Sequence, residues 1–242
     1  MIAAGVDTHK NFHILAITNE LGKEISHHRI DSGRKGAEET ARLLGDPKEV
    51  IVIGIEGTGS YGATLTRHLL AAGDRVSEVA RPKRPRHRPG TQKNDAKDAL
   101  RAAREALRDV DEACTPKPKS SWAEACRMLL VAHNRATQAR TAHMNAIYGL
   151  VISAPDAVRE ELLDLKGARL VRACAQERKC ADMLEQAAWS SLCALAKLWM
   201  CADEEAKRTD DAMRKMLQEH APALIGAFGV GAVNGSAIAA AM

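Results

Sequence analysis

The chain has 242 residues, with 35 Lys and Arg against 31 Asp and Glu, a formal net charge of +4, and only 3% aromatics. That length buries a sizeable core and allows one domain with an extension or two small domains, while abundant alanine favours helices packed closely through small side chains. No apolar run approaches membrane-spanning length and the N-terminus lacks the basic, apolar, small-residue order of a secretory leader, so a cytoplasmic protein without a membrane segment is expected.

In chain order, Met1-Ile-Ala-Ala-Gly-Val-Asp7 is an apolar run that ends in a carboxylate and gives way at once to Thr-His-Lys10. It reads as a buried strand that delivers Asp7 to a sheet edge. Phe12 to Thr18 reads as a second strand, Asn19-Glu-Leu-Gly22 as a hairpin turn, and the region from Glu24 to Ile30 as a third, more exposed strand. Gly36 to Leu44 has helical character and is stopped by Gly45-Asp-Pro47. Val50 to Ile55 is again continuously apolar and ends in Glu56, followed by Gly57-Thr-Gly-Ser-Tyr-Gly62. A helix from Tyr61 to Ala72, closed by Gly73, and a short strand from Arg75 to Val79 come next. Two apolar strands without polar alternation suit neighbouring positions in a sheet covered on both faces. Sites in such sheets lie at the carboxyl ends of the strands, where Asp7 and Glu56 are expected to converge.

Arg81-Pro-Lys-Arg-Pro-Arg-His-Arg-Pro-Gly90 holds three prolines and five Lys or Arg side chains and excludes both helix and central strand. It reads as an extended loop that carries Arg81, Lys83, Arg84, Arg86 and Arg88 past the acids towards Lys93. A solvated loop is the bland alternative; beside carboxylates, contact with nucleic-acid phosphates is the more economical account, with Lys10 and Lys97 adding to it. Asp95 and Asp98 open a helical pattern running to about Val110 and, three residues apart, share one helix face. Four carboxylates gathered in one place repel one another without a cation. An oxygen-only ligand set suits Mg²⁺ or Mn²⁺, and a metal pair can activate a nucleophile and stabilise a leaving oxygen in phosphodiester chemistry.

Thr115-Pro-Lys-Pro118 ends this part, and the character then becomes helical. Trp122, Cys126, Leu129, Leu130 and His133 mark a stripe that continues to about Leu150. His133 and His143 lack partners at ligand spacing and read as helix-face residues. A short helix over Val158 to Leu165 is followed by a longer one over much of Ala168 to Leu217, with Leu184, Ala188, Leu192, Leu195 and Trp199 at three-to-four spacing. A helical hairpin or a dimerising coiled coil is expected. Around Gly229-Val-Gly231 the tail resembles a helix-hairpin-helix, whose backbone amides contact phosphate. The six cysteines, at 114, 126, 174, 180, 193 and 201, include no Cys-x-x-Cys pair and read as buried free thiols.

Gly5-Val-Asp7-Thr-His-Lys10, Glu56-Gly-Thr-Gly-Ser-Tyr-Gly62 and Asn94-Asp95-Ala-Lys-Asp98-Ala together resemble, in order and separation, the three acidic motifs of the DEDD transposases of insertion sequence family 110. The resemblance covers roughly residues 1 to 112 and extends more loosely through the helical middle. It implies an RNase H-like (RuvC-like) α/β fold with a mixed sheet and flanking helices, a Mg²⁺-dependent catalytic tetrad of Asp7, Glu56, Asp95 and Asp98, and DNA rearrangement as the activity. It also implies a structured bridge RNA as a partner. The organisation expected is a RuvC-like domain at 1–112, a helical, coiled-coil-like region at 119–220 that forms a homo-oligomer, and the start of a further domain at 221–242. The family's serine nucleophile belongs to a second conserved domain that begins near Gly229-Val-Gly231 and continues beyond it. Ser236 does not match that serine, so the expectation is a truncated copy that binds nucleic acid without completing recombination.

Two other readings stay open. Actin-like ATPases and sugar kinases also begin with a Gly-Asp strand turn and a meander; there Thr8 to Lys10 and Gly57 to Gly59 would bind nucleotide phosphates, and a second lobe would repeat the fold. The third reading is a non-catalytic nucleic-acid-binding remnant or a regulator of a complete transposase.

Overall fold

Uninterrupted apolar character produces β1 (Ile2–Thr8), buried from Ala3 onward. β2 (Phe12–Asn19) and β3 (Glu24–Asp31) complete an antiparallel meander. At its turn the Asn19 side-chain oxygen accepts the Leu21 and Lys23 N–H groups, and Gly22 takes a φ of +73° that favours glycine. α1 (Arg34–Leu44), β4 (Val50–Glu56), α2 (Ala63–Ala72), β5 (Val76–Val79) and α3 (Asp95–Arg108) follow. β4 runs parallel to β1, and β5 parallel to β4, in the sheet order β3-β2-β1-β4-β5. This is the mixed sheet of an RNase H-like α/β fold. The computed structural model describes residues 1–80, 95–112, 114–117, 119 and 121–241. It divides into two compact units, Met1–Ser120 and Ser121–Met242.

In the first unit one sheet face forms the main core, where Val6, Leu15, Ile30, Ile53 and Ile55 pack with Leu44 of α1 and with Leu65 and Leu69 of α2. The other face carries α3, whose Ala102 and Ala106 pack on Ala3, Val52 and Val79. The contact is made through backbone. Gly5 and Gly54 are direct partners in the β1–β4 pairing. A Cβ on Gly5 would lie 2.2 Å from Ala103 N and Ala99 O, and one on Gly54 would lie 2.4 Å from Ala102 O. The paired glycines are thus a flat seat for an alanine-faced helix, and no side chain fits between them. α2 starts two residues later than its pattern suggests, because Ser60 and Gly62 N–H groups both donate to the Gly57 carbonyl in a preceding turn.

The second unit consists of α4 (Trp122–Ser153), α5 (Asp156–Leu162), α6 (Gly167–Cys174), α7 (Met183–His220), α8 (Pro222–Ile225) and α9 (Ala232–Ala241). The long helix expected from Ala168 onward is interrupted. α6 stops at Cys174, and α7 begins anew at Asp182, whose carboxylate accepts the Leu184 and Glu185 N–H groups. Leu184, at the start of the expected apolar stripe, is consequently 64% exposed, whereas Trp189 and Leu192 enter a core with Ile147, Val151, Leu162 and Leu170. α4 and α7 pack along their lengths and are joined by polar contacts. The His133 Nδ1–H donates to the Ala206 carbonyl at 3.1 Å, and Arg140 Nη1 lies 2.7 Å from Asp203 Oδ1. His133 is therefore a structural contact between helices. Ser236 is fully buried within α9.

The cysteines depart in part from the expectation of buried thiols: Cys126, Cys174 and Cys193 are buried, but Cys114 and Cys201 are exposed. Burial pushes the Cys174 thiol up to about 11, which keeps it protonated. Among the described residues the second unit has no strand, so the repeated lobe of an actin-like ATPase is not found there. No helix among the described residues is long and apolar enough to cross a membrane.

Candidate metal centre

The alternation of side chains along a strand sets the site's position. Asp7 lies two residues beyond Gly5, and Glu56 two beyond Gly54, so both carboxylates project from the face that seats α3. On α3, Asp95 lies four residues before Ala99, which packs on Gly5. Four helical residues rise ~6 Å and two strand residues ~6.6 Å, so the helix that rests on Gly5 brings Asp95 over Asp7. Asp95 and Asp98 occupy the first turn of α3, where the positive end of the helix dipole offsets part of the cost of gathering carboxylates.

A third group joins them. His9, two residues beyond Asp7, places its Nε2 3.1 Å from Asp7 Oδ2 and 3.4 Å from Asp95 Oδ2. Asp7, His9 and Asp95 each offer one ligand atom within 4.8 Å of the others, the one such grouping among the described residues. Asp7 is 8% exposed and Glu56 6%. The His9 ring stacks on Phe12 with centroids 4.7 Å apart, and the Arg29 guanidinium lies 3.9 Å from the centre of the Phe12 ring. The His9 N–H faces His13 Nδ1 at 3.3 Å, and burial holds the His13 imidazole below its usual range and so neutral.

Glu56 is positioned differently. Its carboxylate forms an ion pair with Arg101 Nη2, and Arg101 Nη1 also contacts Glu105 Oε2 at 3.0 Å. Its backbone carbonyl accepts the Thr8 hydroxyl at 2.8 Å, which locks the ends of β1 and β4 together. Asp98 is half-buried on the same face of α3 as Asp95. Of the four predicted carboxylates, the structure brings Asp7 and Asp95 to one point, with Glu56 and Asp98 on the adjoining strand and the same helical turn. Lys10 and Lys97 are exposed. Arg81, Lys83, Arg84, Arg86, Arg88 and Lys93 lie outside the described residues. Sequence reasoning did not single out Arg101 or the glycine pair, and it gave Thr8 and His9 a role only as phosphate binders in the actin-like alternative; the repeated Gly-x-acid at the two strand ends is the signal that points to the glycine pair.

The donor set fits a divalent cation. Two carboxylates and an imidazole stand at separations of 3.1 and 3.4 Å, close to the ~3 Å between neighbouring ligands on a six-coordinate ion with bonds of about 2.1 Å. The fold and the carboxylates at its strand ends define the class, an RNase H-like protein with a candidate metal centre. Residues 4–153, more than half of the chain, match the family of DEDD transposases of the IS110 type, described as transposases, and the chain belongs to that family. No curated protein matches the chain significantly. Family membership makes it a DNA-processing protein of insertion-sequence transposition, with DNA as its partner.

Proposed function

We propose that the chain cleaves DNA strands with a divalent cation, Mg²⁺ or Mn²⁺, held by Asp7 and Asp95 with Glu56 and Asp98 completing the acidic set. The observation that carries this reading is the meeting of Asp7, from the end of β1, with Asp95, from the start of α3, within ligand distance. A bound divalent cation supplies Lewis-acid polarisation of a phosphate oxygen and activation of the attacking oxygen. The chain's own groups do the rest. Asp7, nearly excluded from solvent, is fixed by the strand, and Asp95 is carried by a helix resting on Gly5. Arg101 balances the charge of Glu56 and orients it.

In this reading Lys10, Lys97 and the basic stretch Arg81, Lys83, Arg84, Arg86, Arg88 and Lys93 attract the DNA backbone and set affinity without base preference. The first unit is the RuvC-like catalytic domain, and the helical region serves assembly as a homo-oligomer. A structured guiding RNA is a further partner in this proposal, supported by the family resemblance alone. The test is nicking of supercoiled DNA by the intact chain with and without Mg²⁺ or Mn²⁺. Metal-dependent nicking that falls at least about 100-fold in Asp7→Asn and in Asp95→Asn is expected. DNA binding with no metal-dependent nicking, or nicking that survives both substitutions, would replace this reading with that of a non-catalytic DNA-binding protein.

A further inference from the structure

The acidic set was expected to offer oxygen ligands alone, yet a nitrogen of His9 lies within 3.4 Å of a carboxylate oxygen of both Asp7 and Asp95. Three features make this more than proximity. The Nε2 atom lies 3.1 Å from Asp7 Oδ2 and 3.4 Å from Asp95 Oδ2. The ring plane is held by stacking on Phe12, whose own position is set by β2 and by Arg29. The backbone of His9 is anchored by its N–H, which donates to the Phe12 carbonyl at 3.1 Å and also faces His13 Nδ1. A side chain oriented in this way presents its nitrogen with little loss of rotamer freedom on binding.

We propose that His9 is a nitrogen ligand of the cation held by Asp7 and Asp95, so that the centre is a mixed nitrogen and oxygen site selecting a first-row transition ion over Mg²⁺. The inference rests on the metal-centre reading above. Its physical basis is ligand softness: Mg²⁺ is hard and keeps oxygen and water ligands, whereas transition ions accept imidazole readily. Asp7, His9 and Asp95 each place one ligand atom within 4.8 Å of the others, so that all three can face one ion.

The test uses Mn²⁺ as the probe on the intact chain, with binding and nitrogen hyperfine coupling read by electron paramagnetic resonance and Mg²⁺ added in competition. Expected are an imidazole nitrogen coupling on bound Mn²⁺ and a preference for Mn²⁺ over Mg²⁺ of about tenfold or more. In His9→Asn, and in His9→Phe, which keeps a ring against Phe12, the coupling disappears and the preference shrinks to about threefold or less. Bound Mn²⁺ without nitrogen coupling overturns the assignment of His9 and leaves the carboxylate centre standing. Absence of Mn²⁺ binding to the unsubstituted chain overturns both. If neither variant folds, the nitrogen coupling of the unsubstituted chain decides.

Discussion

The two units solve the problem of holding helices in opposite ways. In the first, α3 lies directly on the backbone of Gly5 and Gly54, and its own contacting residues are alanines. In the second, α4 and α7 are spaced by large side chains such as Ile147, Trp189 and Leu192 and joined by pairs such as Arg140–Asp203. Backbone seating leaves no room for adjustment and fixes the position of Asp95 over Asp7. Side-chain packing tolerates change, because neighbours can partly refill a gap. The site sits in the unit with the less forgiving contact.

The largest effect is therefore expected at the glycine seat. Gly5→Val places a side chain where Ala103 N and Ala99 O already lie 2.2 Å from the Cβ position, and should cost about 3 kcal/mol or more in urea unfolding. A variant as stable as the parent would show that α3 does not rest on this strand. Next in size is Leu192→Ala, which removes a fully buried side chain of the helical unit and should cost about 2–4 kcal/mol by the same measurement. Its purified product should keep whatever metal affinity the parent has, whereas a milder lesion at the glycine seat, Gly54→Ala, should weaken that affinity.

A smaller effect is expected at Arg140→Met, where the partly exposed guanidinium faces Asp203. Lys207 first, and Arg140 after it, hold the Asp203 carboxyl below its usual range. A depressed carboxylate contributes stability above its unfolded value and loses it as pH falls through its folded value. The substitution should thus cost about 0.5–1 kcal/mol at pH 7, allowing for solvent screening, and nothing once acid has protonated Asp203. Thermal unfolding followed from pH 7 down through the acid range would show the difference shrink. The least perturbing probe is thiol labelling at pH 8. Exposed Cys114 and Cys201 should react rapidly, while Cys174, pushed up to about 11, should react only on unfolding.

Much of the first unit was legible because its signals are local. Apolar runs that end in Asp7 and Glu56, and the turn at Asn19 to Gly22, specify strands and a hairpin without long-range information. The second unit was read less well, since periodicity marks a buried face but not a break along it. Asp182, a capping residue inside an otherwise helical pattern, restarts the helix there. In the site, the carboxylates announced themselves by position at strand ends. His9 did not announce itself as a ligand, because a histidine after a strand has many uses, and only the fold reveals that Asp95 comes within 3.4 Å of it. Arg101 was hidden for the same reason, being recognisable only once α3 is laid across β4.

The account stands on Asp7 and Asp95 forming one cation site from two elements distant in sequence. Calorimetric titration of the intact chain with Mn²⁺, beside the double variant Asp7→Asn/Asp95→Asn, tests this most directly. Saturable binding by the unsubstituted chain, weakened at least about 30-fold in the folded double variant, is the predicted result. Equal affinity in the two proteins, or no binding to the unsubstituted chain, would contradict it.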